Sequence, residues 1–102
     1  MGRLKIINFI PYGKENAVSR YELTHFTGWN DRKVRRKISK ARKEYVILSL
    51  ENGSGYYQPT AEDYPELEKF VKREESRAKS IFASLKMARA LLEDYKRGRL
   101  DV

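Results

Sequence analysis

Apolar positions along this chain change their period several times, and each change predicts an element. Residues 3–10 are short and mostly apolar, stopped by Pro11 and Gly13, and predict a brief helix or strand. Residues 16–18 add a short strand. Ser19 and Glu22 then form a Ser-x-x-Glu capping box, in which each side chain satisfies an amide that the other leaves open. Leu23 and Phe26 lie three apart and are expected to share the buried face of this helix, which Gly28 ends in a left-handed conformation. Asn30 caps a second helix, with Asp31 in the first turn where the macrodipole favours an anion. Val34, Ile38, Ala41 and Tyr45 recur at spacings of 4, 3 and 4, a single apolar stripe among charges. Val46–Leu50 is a β-branched and apolar run suited to a strand. Asn52-Gly53-Ser54-Gly55 is a turn cluster, and Tyr56–Gln58 returns as a second strand until Pro59.

Beyond residue 60 the pattern is different. Thr60 caps a helix starting near Ala61 or Glu62, with Pro65 tolerable in its first turns. No further Gly or Pro occurs until Gly98. Leu67, Val71, Glu74, Ala78, Ile81, Leu85, Ala88, Leu92 and Tyr95 alternate spacings of 4 and 3, a heptad seam with Glu74 as its polar member. Phe70, Phe82, Met87 and Leu91 widen the stripe. A helix over about 62–97 is on the order of 50 Å long, more than a 60-residue domain can cover. The expected outcome is a homodimer through Leu67, Val71, Ala78, Ile81, Leu85, Ala88, Leu92 and Tyr95. A helix that breaks and folds back on itself is the rival.

The order helix, turn, helix, hairpin predicts a mainly α fold with a small β-hairpin. The expected architecture is a winged helix-turn-helix domain over 1–60, followed by a coiled-coil-like dimerisation helix over 61–102.

Charge sharpens this picture. Lys and Arg number 22 against 14 Asp and Glu, a formal net charge of +8. Residues 1–60 hold twelve of the cations and only five of the acids. Eight of the twelve fall between residues 32 and 43: Arg32, Lys33, Arg35, Arg36, Lys37, Lys40, Arg42 and Lys43. At about 100° per residue, Arg32, Arg36, Ser39 and Lys43 point away from the apolar stripe, with Lys33, Arg35 and Lys40 on the flanks. Such a face suits a DNA major groove, where arginine reads guanine and flanking cations reach phosphates. Asn30, Arg32 and Arg36 are the expected base readers; Lys33, Arg35, Lys40 and Lys43 the expected phosphate contacts. Ser19 and Arg20 stand where a helix N-terminus can hold a phosphate. Asn52 and Ser54 are the polar side chains available at the wing tip. Tyr21 is expected to pack rather than bind.

Other chemistry is scarce. Cysteine is absent and His25 is the one histidine, which excludes His/Cys metal clusters. Gly53-Ser54-Gly55 lacks the Lys-Ser/Thr of a phosphate loop. No catalytic residue, metal or cofactor is expected, and the protein is expected not to be an enzyme. The N-terminal stretch has no signal-peptide apolar run, and no segment approaches the roughly 20 apolar residues of a membrane span, so the expected compartment is the cytoplasm.

The stretch Ile10-Pro11-Tyr12-Gly13-Lys14-Glu15-Asn16-Ala17-Val18-Ser19, with Glu22-Leu23, Thr27-Gly28, Asp31-Arg32-Lys33-Val34-Arg35 and Gly55-Tyr56-Tyr57, resembles small winged helix-turn-helix proteins. These are encoded by prophages and mobile elements of Gram-positive bacteria. The resemblance covers roughly residues 10–60 and implies that Arg32, Arg35 and Arg36 contact DNA. The wing departs from the pattern in carrying no basic residue at its tip.

The function expected is sequence-specific double-stranded DNA binding as a homodimer, in transcriptional regulation or in replication or recombination of a phage or mobile element. The alternative is an adaptor that uses the winged fold to dock an acidic phage or host protein.

Overall fold

The computed structural model describes residues 4–98; the outermost residues of both expected domains, 1–3 and 99–102, lie outside it. The chain is mainly helical, with one small antiparallel hairpin and a long C-terminal helix. Its elements are α1 (Arg20–Thr27), α2 (Asp31–Ala41), β1 (Leu48–Ser49), β2 (Tyr56–Tyr57) and α3 (Tyr64–Lys96). Short 3-10 turns at Ile6–Phe9, Lys14–Asn16 and Ala61–Asp63 punctuate them.

Two compact units are present, the first running to Glu68 and the second starting at Lys69. The first is thus longer than the expected 60 residues, because the opening of α3 belongs to it. Glu66 of α3 pairs with Lys14 at 3.6 Å. Thr60 is the N-cap as expected, in a capping box with Asp63, whose buried carboxylate accepts from the Thr60 amide (2.9 Å) and hydroxyl (3.2 Å).

The core of the first unit gathers Leu23, Val34 and Ile38 from the two short helices with Ile6, Ile10, Ile47 and Tyr56. The 3-10 turn at Ile6–Phe9 packs on both α1 and α2. The capping signals of α1 are realised in full. Ser19 and Glu22 exchange both hydrogen bonds of the capping box at 3.0 Å, and Gly28 closes the helix at φ 76°. Thr27, buried, donates to the Leu23 carbonyl (2.7 Å) and accepts from the Trp29 amide (3.1 Å), bracing the three-residue turn into α2.

Three packing expectations fail. Phe26 is 53% exposed, and Thr27, four residues after Leu23, takes the inward position. Tyr21 is 76% exposed and stacks on His25, with ring centroids 6.1 Å apart. Tyr45 leaves the stripe because α2 ends at Ala41 and the chain turns there, leaving the ring 43% exposed.

The hairpin is shorter than the expected strands. Leu48 pairs with Tyr57 and Ser49 with Tyr56, while Val46 is exposed. Val18 forms an isolated bridge to Tyr56, so the short strand expected at 16–18 reduces to one residue. At Gly55 a Cβ would approach the side chains of Ala17 and Leu50 to 3.1 Å, tighter than ordinary van der Waals contact. Gln58 fastens the N-terminal segment: its amide donates to the Pro11 carbonyl (2.7 Å) and its Nε2 to the Ile10 carbonyl (2.8 Å). Burial raises the Tyr57 hydroxyl above its ordinary pKa and keeps it neutral at the foot of the hairpin.

The second unit is the remainder of α3. The helix runs unbroken for 33 residues, about 50 Å, which disposes of the fold-back alternative. None of its residues is buried. Val71, Ile81, Leu85, Leu92 and Tyr95 of the seam are all exposed, as are Phe82, Met87 and Leu91 beside it. No helix among the described residues is long and apolar enough to cross a membrane.

Candidate nucleic-acid interface

α2 presents the candidate site. Asn30 caps it, its Oδ1 accepting from the Lys33 amide at 2.8 Å, and Val34 and Ile38 bury one side completely or nearly so. With that side pinned, the helical period decides what faces outward. Arg32, Arg36, Ser39 and Lys40 are exposed on the helix, and Lys43 is exposed just beyond its end. None of the four cations enters an ion pair among the described residues. They form an uncompensated positive ridge opposite the core.

Arg20, Lys33, Arg35, Lys37 and Arg42 are engaged within the first unit. Asp31 gathers two of them: Arg20 Nε reaches one carboxylate oxygen at 2.9 Å and Arg35 Nε the other at 3.3 Å. A hydrogen bond to Tyr56 and the nearby Asp31 charge raise the Arg20 pKa further, so it stays charged under all ordinary conditions. Lys33 and Lys37 both lie over the Trp29 ring, at 4.9 and 5.6 Å from its centroid. Trp29 is half-buried against the core, and the two lysines are held over its ring. Arg42 is exposed but tied to its own unit: its Nε donates to the Ile47 carbonyl at 3.1 Å and its guanidinium lies over Tyr56.

The other expected contacts divide. Ser19 is occupied, since its hydroxyl accepts from Glu22 and the Glu22 carboxylate sits at the N-terminus where a phosphate was expected. Asn30 keeps its Nδ2 available while Oδ1 caps the helix. Asn52 and Ser54 are exposed at the hairpin tip, where Asn52 Oδ1 accepts from both the amide and the hydroxyl of Ser54. The structure therefore brings Arg32, Arg36, Ser39, Lys40 and Lys43 together on one side, with Lys33 and Arg35 flanking. It adds Trp29 as an aromatic platform for two lysines, which a tryptophan one residue ahead of a cap, followed by lysines four and eight later, was able to signal.

Fold and site together define a small helical domain with a β-hairpin, a cationic second helix and a long C-terminal helix. No family model matches the chain, and no match was found among curated proteins or solved structures.

Proposed function

We propose that this chain is a winged helix-turn-helix protein that binds double-stranded DNA as a homodimer. α2 is the recognition helix, the β1–β2 hairpin is the wing, and α3 joins two copies. The observation that carries the reading is the ridge of Arg32, Arg36, Lys40 and Lys43, exposed opposite Val34 and Ile38. Closely spaced like charges repel one another, and a polyanion relieves that repulsion while releasing its counterions. An α-helix fits the major groove, and its N-terminal half approaches base edges first. Arg32 and Arg36 accordingly read bases, while Lys40 and Lys43 hold phosphates. The exposed seam of α3 supports a second copy, which places two recognition helices on one duplex and combines their affinities. The biological setting that fits is transcriptional regulation, or replication or recombination of a phage or mobile element.

Selection of bound duplexes from a random pool tests the reading. The expected product is an inverted repeat. Arg36→Ala should then weaken the selected site by about 1–3 kcal/mol and relax one position, while Lys40→Ala weakens all duplexes alike and lowers the salt slope by about one. Equal binding by Arg36→Ala and the parent would contradict the groove placement. Failure to retain any duplex at physiological salt, with retention of an acidic polypeptide, would replace DNA with a protein partner.

A further inference from the structure

The apolar seam of α3 leaves open which way round two copies meet, and the charges beside it answer. With Val71, Ala78, Leu85 and Leu92 at heptad position a, position e is filled by Glu68, Glu75, Phe82, Arg89 and Lys96. This row is acidic before Phe82 and basic after it. Glu75 and Arg89 each lie seven residues from Phe82, and Glu68 and Lys96 each lie fourteen. In the folded chain the Arg89 guanidinium lies over the Phe82 ring at 5.7 Å, so neighbouring members of the row do share a face.

We infer that α3 pairs antiparallel with a second copy of itself, the two helices crossing symmetrically near Phe82. The inference rests on the homodimer reading above and adds its orientation. In an antiparallel pair, position e faces position e of the mate. Glu68 then meets Lys96 of the second copy, Glu75 meets its Arg89, and the two Phe82 rings meet at the centre. Symmetry makes four opposite-charge contacts. In a parallel pair, position e faces position g five residues earlier, here Phe70, Arg77, Ser84 and Leu91. Arg77 would then meet Phe82, Ser84 would meet Arg89, and no opposite charges would face each other. Charges flanking a seam set partner orientation.

The seam agrees. A parallel pair stacks Glu74 on Glu74, bringing two carboxylates together between apolar layers. Antiparallel layering sets Glu74 against Leu92 and Ala78 against Ala88, next to Ile81 against Leu85. The small pair lets the two backbones approach close to the centre, where Phe82 fills the flank.

Cysteine cross-linking distinguishes the orientations, and the chain contains no cysteine to interfere. Single variants Ala78→Cys and Ala88→Cys are mixed, equilibrated under reductant and then oxidised. The expected product is a disulfide between one of each, with little product from Ala88→Cys alone. In the antiparallel pair two Ala88 positions are separated by roughly 15 Å along the axis, too far for a disulfide, which needs Cβ atoms within about 4 Å. Efficient self-linking of Ala88→Cys, without the mixed product, would establish a parallel pair and overturn the inference. Light scattering on the parent separates this from failure of the homodimer reading itself, since a monomer removes both. Charge reversal gives a second measure. Glu75→Arg and Arg89→Glu should each weaken self-association about tenfold, and combining them in one chain should restore it to within about twofold. Absence of restoration in a stable dimer would also overturn the antiparallel assignment.

Discussion

α2 and α3 are both charged amphipathic helices, and they leave opposite halves of themselves unsatisfied. α2 spends its apolar side within its own chain: Val34 and Ile38 are 0% and 3% exposed, and what remains outside is a cationic face. α3 does the reverse. Its charges are nearly balanced by sign, while Ile81, Leu85 and Leu92 are exposed at 53%, 38% and 53%. The difference teaches what each helix is missing. A like-charged ridge without counter-charges calls for a polyanion, and an apolar stripe without a cover calls for another apolar stripe. On the proposed reading, one helix meets something unlike itself and the other something like itself.

The comparison breaks most visibly at Leu85. Leu85→Asp removes two leucines from a symmetric interface and puts two carboxylates in their place. Each leucine is worth about 1.5–3 kcal/mol of burial, so self-association should fall about a thousandfold or more. Light scattering should report a monomer, while urea unfolding of the first unit stays unchanged. If unfolding of the first unit shifts as much as association does, α3 is stabilising its own chain rather than a mate. Ile38→Ala makes the converse break. It should cost the first unit about 3 kcal/mol in urea unfolding and lower duplex affinity, because the ridge loses its seat. Dimerisation through α3 should persist.

How much of this was legible depends on how far each contact reaches along the chain. The capping box at Ser19 and Glu22, the left-handed Gly28 and the Asn30 cap join residues within four of one another, and all occur as read. The heptad pattern of α3 is similarly local, and the helix follows it without a break. The misread aromatic positions have separate causes. The helical stripe stops short of Tyr45, because the chain leaves the helix after Ala41 and Arg42 bonds the Ile47 carbonyl. Apolar character favours Phe26 for the buried position, whereas the Thr27 hydroxyl satisfies itself on the Leu23 carbonyl and takes that position instead. The link from Gln58 to Ile10 spans 48 residues and leaves no periodic trace. At the candidate site the direction of the cations was legible, since it follows from the helical period. Their pairings were not: Asp31 draws in Arg20 from another helix, and Trp29 collects Lys33 and Lys37.

Smaller effects refine the boundary between holding the fold and holding a ligand. Ser19→Ala removes the hydroxyl that accepts from the Glu22 amide and should cost about 1 kcal/mol in thermal unfolding. Since the capping box occupies that hydroxyl, duplex affinity measured well below the melting temperature should change little. A loss of affinity beyond about fivefold would return Ser19 to the contact surface.

The finest test lies on α2 itself, where Asp31 is the one carboxylate of the helix. It pairs with Arg20 and Arg35 together, at 2.9 and 3.3 Å, and all three side chains are substantially exposed. Asp31→Asn should cost under about 1 kcal/mol of stability, because exposed ion pairs and first-turn acids contribute little. Its effect on binding should have the opposite sign. Releasing two guanidiniums and deleting a like charge to the phosphates should tighten non-specific duplex binding about threefold. The slope of log affinity against log salt should steepen as well. Unchanged affinity and slope in fluorescence anisotropy across a salt series would mean that Arg20 and Arg35 do not face the polyanion. The interface would then narrow to the ridge of Arg32, Arg36, Lys40 and Lys43.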